Sequence, residues 1–376
     1  MIIEKLYDTD SHLSEFNATV LSSEEVNGEY LIMLDRTAFF PEAGGQPSDK
    51  GSINGIAVHY VSISGDKIFH HTNAPIAVGT AVKGKIDFAR RHRFMQNHTG
   101  EHIVSGILHK LYGLSNVGFH LGEEFATLDF DGELTRVQLD EVEQLANQKI
   151  WLNLPVTCYY PDCEELKTLD YRSKKELEGD IRIVKIKDTD MCACCAPHVK
   201  FTGEIGIIKL LDTERMRGGT RVVFKCGDYA LFDYRKKYEN ISHISALLSS
   251  KQDEAGVAVD ALQEKLDREK EAHAQTVSRM LGFIIDNASS RAVFVDGLDT
   301  KALQALADGL HKTKSGLYGA FSKREEGFAF AICDEDNKLQ PFFAEFKAKF
   351  TVRGGGRGGM VQGTVFAEEN DIKLFF

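Results

Sequence analysis

The 376-residue sequence predicts an α+β protein in four parts: a small N-terminal β-barrel, an α/β unit, a helical, coiled-coil-like arm and a small C-terminal α/β domain. Three observations carry this expectation. Short β-prone runs crowd the chain before Asp87. Beyond it the apolar period becomes helical and then alternates between helix and strand. From about Asp228 to Ile285 the chain is nearly free of Gly and has no Pro. The boundaries read as 1–88, 89–227, 228–287 and 288–376, in keeping with about 150 residues per typical domain.

The barrel rests on Tyr30–Arg36, Ile56–Ser62 and Lys67–His71, β-prone runs separated by Gly, Asn and Asp at hairpin spacings. Between the first two lies Phe39–Gly51, a turn-rich loop in which Gly44 and Gly45 open backbone angles closed to other residues. From Arg90 to Tyr112, Phe94, Ile103, Ile107, Leu108 and Leu111 fall at helical spacings, and Gly113 is a natural stop. Strands are expected at Phe125–Phe130, Val156–Tyr160, Ile181–Ile186, Gly206–Leu211 and Arg221–Lys225, with a helix over Asp140–Leu152. In the arm, Tyr234, Tyr238 and Ile241, then Val259, Leu262 and Leu266, step by threes and fours, interrupted at Ser249–Gly256. That pattern suits a coiled coil or two amphipathic helices packed on a globular body. The C-terminal part reads as strand Ala292–Val295, helix Lys301–Lys312, strands near Leu317 and at Phe328–Ile332, helix Pro341–Phe350, and a last strand around Ile372–Phe376.

Composition narrows the function classes. The net charge of −11 excludes binding nucleic acid through bulk positive charge, while leaving room for a local basic face. No window approaches about 18 uninterrupted apolar residues, and the N-terminus lacks a basic, then apolar, leader, so a soluble, cytoplasmic protein is expected. Seven cysteines, three of them at Cys192, Cys194 and Cys195, fit reduced thiols inside a cell better than a disulfide scaffold.

His98 and His102 sit four apart on the expected helix, which puts both imidazoles on one face. About ninety residues on, Cys194 and His198 repeat the four-residue step. Three imidazoles and a thiolate form a soft, nitrogen-rich set that suits one zinc ion and not magnesium or calcium. Cys192-x-x-Cys195 also reads as a redox dithiol, but no thioredoxin-like unit surrounds it. Cys194 alone completes the step to His198, leaving Cys192 and Cys195 as supporting or buried thiols. His98-Thr-Gly-Glu-His102 further matches the H-x-x-E-H signature of certain metallopeptidases, with Glu101 as general base. Those enzymes use no thiolate ligand, which counts against that reading.

Taken together, Pro41-Glu-Ala-Gly-Gly-Gln46, His98-x-x-x-His102, Cys194-x-x-x-His198 and Thr202-Gly-Glu-Ile-Gly206 resemble the editing domain of alanyl-tRNA synthetase. More closely, the chain resembles the free-standing AlaX proteins in their long form. The likeness to the editing domain covers roughly Leu13–Lys225, and the rest is similar to the synthetase's C-terminal domain. No aminoacylation domain is recognisable, so charging of tRNA is not expected. Two departures stand out: Glu101 where the synthetases usually have Thr, and Cys194-Cys-Ala-Pro-His198 where they have Cys-Gly-Gly-Thr-His.

The resemblance implies a zinc-dependent hydrolase that removes serine, and glycine as a further substrate, from mischarged tRNA(Ala). One pocket rejects neither amino acid well, so a second sieve is needed. Glu101 is then a candidate for activating water, or else a solvated helix residue about 100° from His102. Gln46 reaches the substrate or serves its turn. Thr99, His120, Gly44 and Gly45 are the candidate substrate-binding set near the zinc ligands. In the C-terminal domain, Arg353-Gly-Gly-Gly-Arg357-Gly-Gly-Met360 holds a formal G-x-G-x-x-G. Too little chain follows for a dinucleotide-binding unit. Arginines between glycines suit contact with tRNA phosphates, the alternative being a flexible turn. A homodimer through the arm or C-terminal domain is the remaining expectation. A zinc metallopeptidase and a non-catalytic zinc-stabilised RNA-binding protein are the competing functions.

Overall fold

The computed structural model describes residues 3–173 and 180–376, and it is a mixed α+β protein that divides into two compact units, 1–240 and 241–376. Among the described residues, no helix is long and apolar enough to cross a membrane.

In the first unit, six strands pair in a closed order: Glu15–Val26, Glu29–Leu34, Lys67–Thr72, Ile56–Ser64, Gly51–Ile53 and Ala81–Ile86. Strand alternation fills the interior, with Phe16, Ala18, Val20, Ile32, Leu34, Val61 and Ile68 buried. Sequence reading missed Glu15–Val26 and Ala81–Ile86. Charged and polar residues on their outer faces hide a period of two: Phe16, Ala18 and Val20 are buried between Glu15, Asn17 and Thr19.

A second core forms where the long helix Phe88–Tyr112 and the helix Arg136–Trp151 pack on a four-stranded antiparallel sheet. The sheet runs Ile208–Met216, Gly219–Cys226, Ala126–Phe130, Asn116–Leu121. Asp87 caps the long helix by accepting from the Arg90 N–H, and Gly113 ends it at φ 68°. Every residue from Phe94 to Leu108 is buried, polar ones included. The strands Val156–Tyr159, Ile183–Ile186 and Asp190–Ala193 form a small antiparallel sheet whose last hairpin turns through Asp188 at φ 51°.

One buried ion pair joins the long helix to the loop ahead of strand Gly51–Ile53. Arg91 is fully buried, and its Nε donates to Asp49 Oδ1 (2.9 Å) and Oδ2 (3.0 Å). Its remaining donors reach Ser11 O (3.1 Å) and Ala38 O (2.6 Å), and Asp49 also accepts from Phe40 N–H (2.6 Å). Removing one member strands the other charge in the interior, which typically costs 3–5 kcal/mol. Arg91→Met is therefore expected to lower unfolding stability by about 3–5 kcal/mol, read from urea midpoints, whereas breaking the exposed pair Lys83–Glu15 should barely move the midpoint.

The helices Gly227–Leu248 and Ala255–Asn287 are separated at 249–254, so the interruption expected at Ser249–Gly256 ends two residues earlier, Ala255 and Gly256 already being helical. The second unit contains a five-stranded sheet in the order Ala292–Phe294, Tyr318–Lys323, Phe328–Cys333, Met360–Phe366, Thr351–Gly355, with the first pair parallel. Helices Thr300–Lys314 and Asp336–Lys349 accompany it. Two expectations are corrected here. The strand placed at Ile372–Phe376 is a helix, Glu369–Phe375. Glu369 and Asp371 suit a helix start, and Ile372, Phe375 and Phe376 reach one core at steps of three and four. Nor is Arg353–Met360 simply a loop: Thr351–Gly355 pairs with Met360–Phe366 as a hairpin, with Arg353 opposite Thr364.

Candidate metal centre

The long helix carries His98 and His102 one turn apart, and the loop after strand Asp190–Ala193 brings Cys194 and His198 against them. One donor atom from each of the four lies within 4.8 Å of the others. Cys194 Sγ stands 3.4 Å from His98 Nε2 and 3.4 Å from His198 Nε2. The rings of His98, His102 and His198 approach with centroids 4.7–5.6 Å apart.

Each imidazole is held from behind through its other nitrogen. His98 Nδ1 donates to Gln46 Oε1 (2.9 Å), His102 Nδ1 to Asp190 Oδ2 (2.8 Å) and His198 Nδ1 to Thr99 Oγ1 (3.0 Å). A proton on each Nδ1 leaves an Nε2 lone pair, the tautomer that a metal-ligating histidine requires. The donor set therefore fits zinc: three imidazole nitrogens and a thiolate, each ring fixed by an outer partner.

The electrostatics favour a cation. Burial alone would push His102 towards its neutral form, but Glu101 and Asp190 outweigh it and raise its pKa. Burial works against the charge of Asp190, yet His102 and Arg172 hold its carboxyl below the ordinary range. Arg172 grips that carboxylate with two bonds, Nε to Oδ1 (2.7 Å) and Nη2 to Oδ2 (2.9 Å). Gly106 lets the hairpin approach: a Cβ there would lie 2.5 Å from Thr189 O and 2.8 Å from Asp190 Cβ. Arg182 fastens the ligand loop by donating to Cys194 O (3.0 Å) and Ala196 O (2.9 Å). Losing the support of one ring typically costs 10–100-fold in metal affinity. Asp190→Asn should therefore weaken zinc binding by about 10–100-fold, measured by competition with a chelator of known affinity.

A cavity of about 540 Å³ opens onto His98, His102 and Cys194. Gly44 and Gly45 form part of its wall, with φ of 61° and 81°. Gly45 is the constrained one, since a Cβ there would lie 2.5 Å from Phe119 O. Its own carbonyl accepts from Leu121 N–H (3.1 Å), which ties the glycine loop to strand Asn116–Leu121.

The other sequence-derived candidates take the following positions. Glu101 is buried, not solvated, because its whole helix segment is enclosed. Its Oε1 accepts from Ser105 Oγ (2.8 Å) and Asn116 Nδ2 (2.6 Å), and its Oε2 lies 3.6 Å from His102 Nε2. Gln46 is buried behind His98 and is not part of the cavity wall; its Nε2 is a buried donor with no acceptor within hydrogen-bonding reach among the described residues. Thr99 is buried too, supporting His198 and accepting from Val199 N–H (3.3 Å). His120 is exposed and off the wall, while Phe119 lines the cavity and packs on the His98 ring at 4.8 Å. Sequence reading had not foreseen that strand, so its phase was unknown. Cys192 and Cys195 both line the cavity; Cys192 is buried, which pushes its thiol up to about 11 and keeps it protonated at neutral pH, whereas Cys195 is exposed. Arg353 and Arg357 are exposed on the hairpin of the second unit, with the Arg353 guanidinium 5.1 Å over the Phe366 ring.

Asp190, Arg172, Arg182, Ser105, Asn116 and Phe119 escaped the sequence reading. Only Asp190 carried a signal, a carboxylate in the Lys187-Asp-Thr-Asp-Met-Cys192 run just ahead of the cysteines.

Comparison with known proteins finds relatives of this chain. Residues 181–223, which contain Cys194 and His198, match the family described as the threonyl and alanyl tRNA synthetase second additional domain. The chain is 31% identical over 272 residues to the alanyl-tRNA editing protein Aarsd1 of Bos taurus, covering 68% of this chain and 61% of that one. The Rattus norvegicus protein of the same name is 30% identical, covering 69% of this chain and 67% of its own. The alanyl-tRNA editing protein AlaX-L of Pyrococcus horikoshii is 34% identical over 61% of this chain and 59% of its own. The chain thus spans about three fifths to two thirds of the length of these relatives.

Proposed function

The chain belongs to the alanyl-tRNA editing proteins, and from that premise we propose that it is a zinc-dependent deacylase acting in trans on tRNA(Ala) mischarged with serine, and also with glycine. The observation that carries this reading is the convergence of three braced imidazoles and one thiol, of which His98, His102 and Cys194 line a cavity with a glycine-bearing wall. A cytoplasmic setting, where tRNA is charged, accords with it.

His98, His102, Cys194 and His198 would hold the zinc, which with four protein ligands would be a closed centre that fixes the cavity wall and places positive charge beside the ester, acting as a Lewis acid only on opening a coordination position. Gln46, Asp190 and Thr99 act as positioning residues that keep the three rings aimed. Gly44 and Gly45 let the acceptor end approach the backbone closely, and the Phe119 ring gives it an apolar wall. Glu101 takes a proton from the attacking water at Oε2, its other oxygen being fixed by Ser105 and Asn116. An aminoacyl ester with a free α-ammonium is already activated towards water, so modest general-base help suffices.

The deciding experiment offers the full chain Ser-tRNA(Ala), Ala-tRNA(Ala) and an unstructured peptide. Hydrolysis of the first, sparing of the second and no peptide cleavage are expected. Peptide cleavage would instead favour a metallopeptidase using His98-x-x-Glu101-His102, and binding without turnover would favour a zinc-stabilised RNA-binding protein.

The division of labour along the chain gives a further expectation. Arg353 and Arg357 supply tRNA affinity and take no part in hydrolysis. Replacing both with Ala should leave the rate at saturation unchanged, raise the tRNA needed to reach it, and flatten the salt dependence of binding by up to about 0.9 log units per lost phosphate contact. An acceptor-stem minihelix should be indifferent to the change. Exposed apolar residues of helix Ala255–Asn287, among them Val257, Val259, Leu262 and Leu266, support a homodimer through the arm, which sedentation-independent mass measurement by light scattering would read.

A further inference from the structure

A second set of metal-competent side chains meets away from the cavity. His12 follows the N-terminal turn, His92 lies on the second turn of helix Phe88–Tyr112, and Glu204 lies in the single turn Thr202–Ile205. Their donor atoms fall within 4.8 Å of one another, and all three residues are half-buried. His12 Nε2 is 2.6 Å from Glu204 Oε2, and His92 Nε2 is 3.7 Å from the same oxygen. None of the three lines the cavity at Cys194. His92 and His98 are six residues apart, which separates them by about 9 Å along the axis and about 120° around it. The two clusters therefore face different directions from one helix.

Glu204 is held in place independently of the histidines. Its Oε1 accepts from the Lys200 N–H (3.0 Å) and Phe201 N–H (2.9 Å), and its carbonyl accepts from Gln96 Nε2 (2.8 Å). This leaves Oε2 as the oxygen offered to the two rings. Burial works against its charge, but His12 and the backbone bonds outweigh burial and keep the carboxyl below the ordinary range. His12 is oriented in turn, its Nδ1 lying 3.1 Å from Ser11 Oγ. Two imidazole nitrogens and a fixed carboxylate oxygen on one side, with solvent on the other, match a late divalent transition metal with open positions. Magnesium and calcium prefer all-oxygen surroundings.

We propose that His12, His92 and Glu204 form a second divalent-cation site, of the zinc class, which fastens the N-terminal segment and the turn after His198 to the start of the long helix. It has three ligands and no thiolate, so it fills after the cavity site and empties first. Its effect is on stability, through mass action on the folded state.

The test uses the full chain, loaded with zinc and dialysed at stepped free-zinc concentrations, with metal counted by elemental analysis. The parent should take up a second zinc per chain above the first. The His12→Gln/His92→Gln variant should keep only the first, with deacylation at saturating tRNA unchanged. Added zinc should raise the parent's Tm by at least a few degrees and leave the variant's unmoved. Cobalt provides an independent readout: the first equivalent should give a thiolate-to-metal absorption band and the second should not add to it. If the double variant folds poorly, His92→Gln alone reads the same loss. No second equivalent in the folded parent up to millimolar free zinc, or one that survives in both variants, would overturn the site and leave an ion-pair cluster only.

Discussion

Replacing Cys194 and His198 together with Ala is expected to abolish zinc binding at the cavity and to lower deacylation by about 10²-fold or more, since misplacement of reacting groups by 1 Å already costs about that much. The two side chains contribute half of a four-donor cluster whose members lie within 4.8 Å. What remains, His98 and His102, is aimed by Gln46 and Asp190 at a point with no second pair to close it. Thr99 would also lose the ring that it supports. Chelating the parent should lower its thermal stability, because metal binding free energy is folding free energy when the ligands come from distant segments. Elemental analysis, a thermal melt with and without chelator, and a deacylation assay read the three effects. Undiminished zinc at the cavity in the double variant would refute the ligand assignment.

Glu101→Gln is expected to slow deacylation at saturating tRNA by about 10²-fold or more, in the range usual for general acid–base catalysis, with zinc content unchanged. The substitution is a clean one in this setting. A glutamine Oε1 can still accept from Ser105 and Asn116, so the buried network keeps its strut. What disappears is the negative charge and the basic oxygen 3.6 Å from His102 Nε2. A rate within a few-fold of the parent would make Glu101 a structural acceptor for Ser105 and Asn116 and nothing more.

The parts of the site that were legible in the sequence are those encoded by local spacing. His98 and His102 share a helix face, and Cys194 and His198 repeat the step, although the second pair sits on a loop and not a helix. Glu101 was harder to place. A helix buried on every side from Phe94 to Leu108 has no polar face from which exposure can be read, so angular distance from His102 said little. Asp190, Arg172 and Phe119 were out of reach for another reason: His102 and Asp190 are 88 residues apart, and only the folded sheet brings them to 2.8 Å. In the fold, runs of β-branched and aromatic residues revealed three barrel strands, while Glu15–Val26 hid behind its polar outer face. The C-terminal helix was misread because Ile372 to Phe376 is rich in β-favouring residues, and the acidic residues that start the helix lie just before it.

The support of His98 by Gln46 also has a bearing on how the protein is made. About 150 residues separate Gln46 from His198, and at the usual 5–20 residues per second a ribosome needs about 8–30 s to synthesise that interval. Throughout this period the nascent chain displays the glycine loop, and later the two helical histidines, without the thiol and imidazole that complete the set. Capture of an ion by these four residues would thus be a late event in biogenesis, coming after the strands of residues 15–86 and the long helix have left the exit tunnel. Under zinc shortage, chains would accumulate with the barrel assembled and the ligand loop already held by Arg182, but with the Cys194 sulfur lacking a metal and open to oxidants through the cavity it lines.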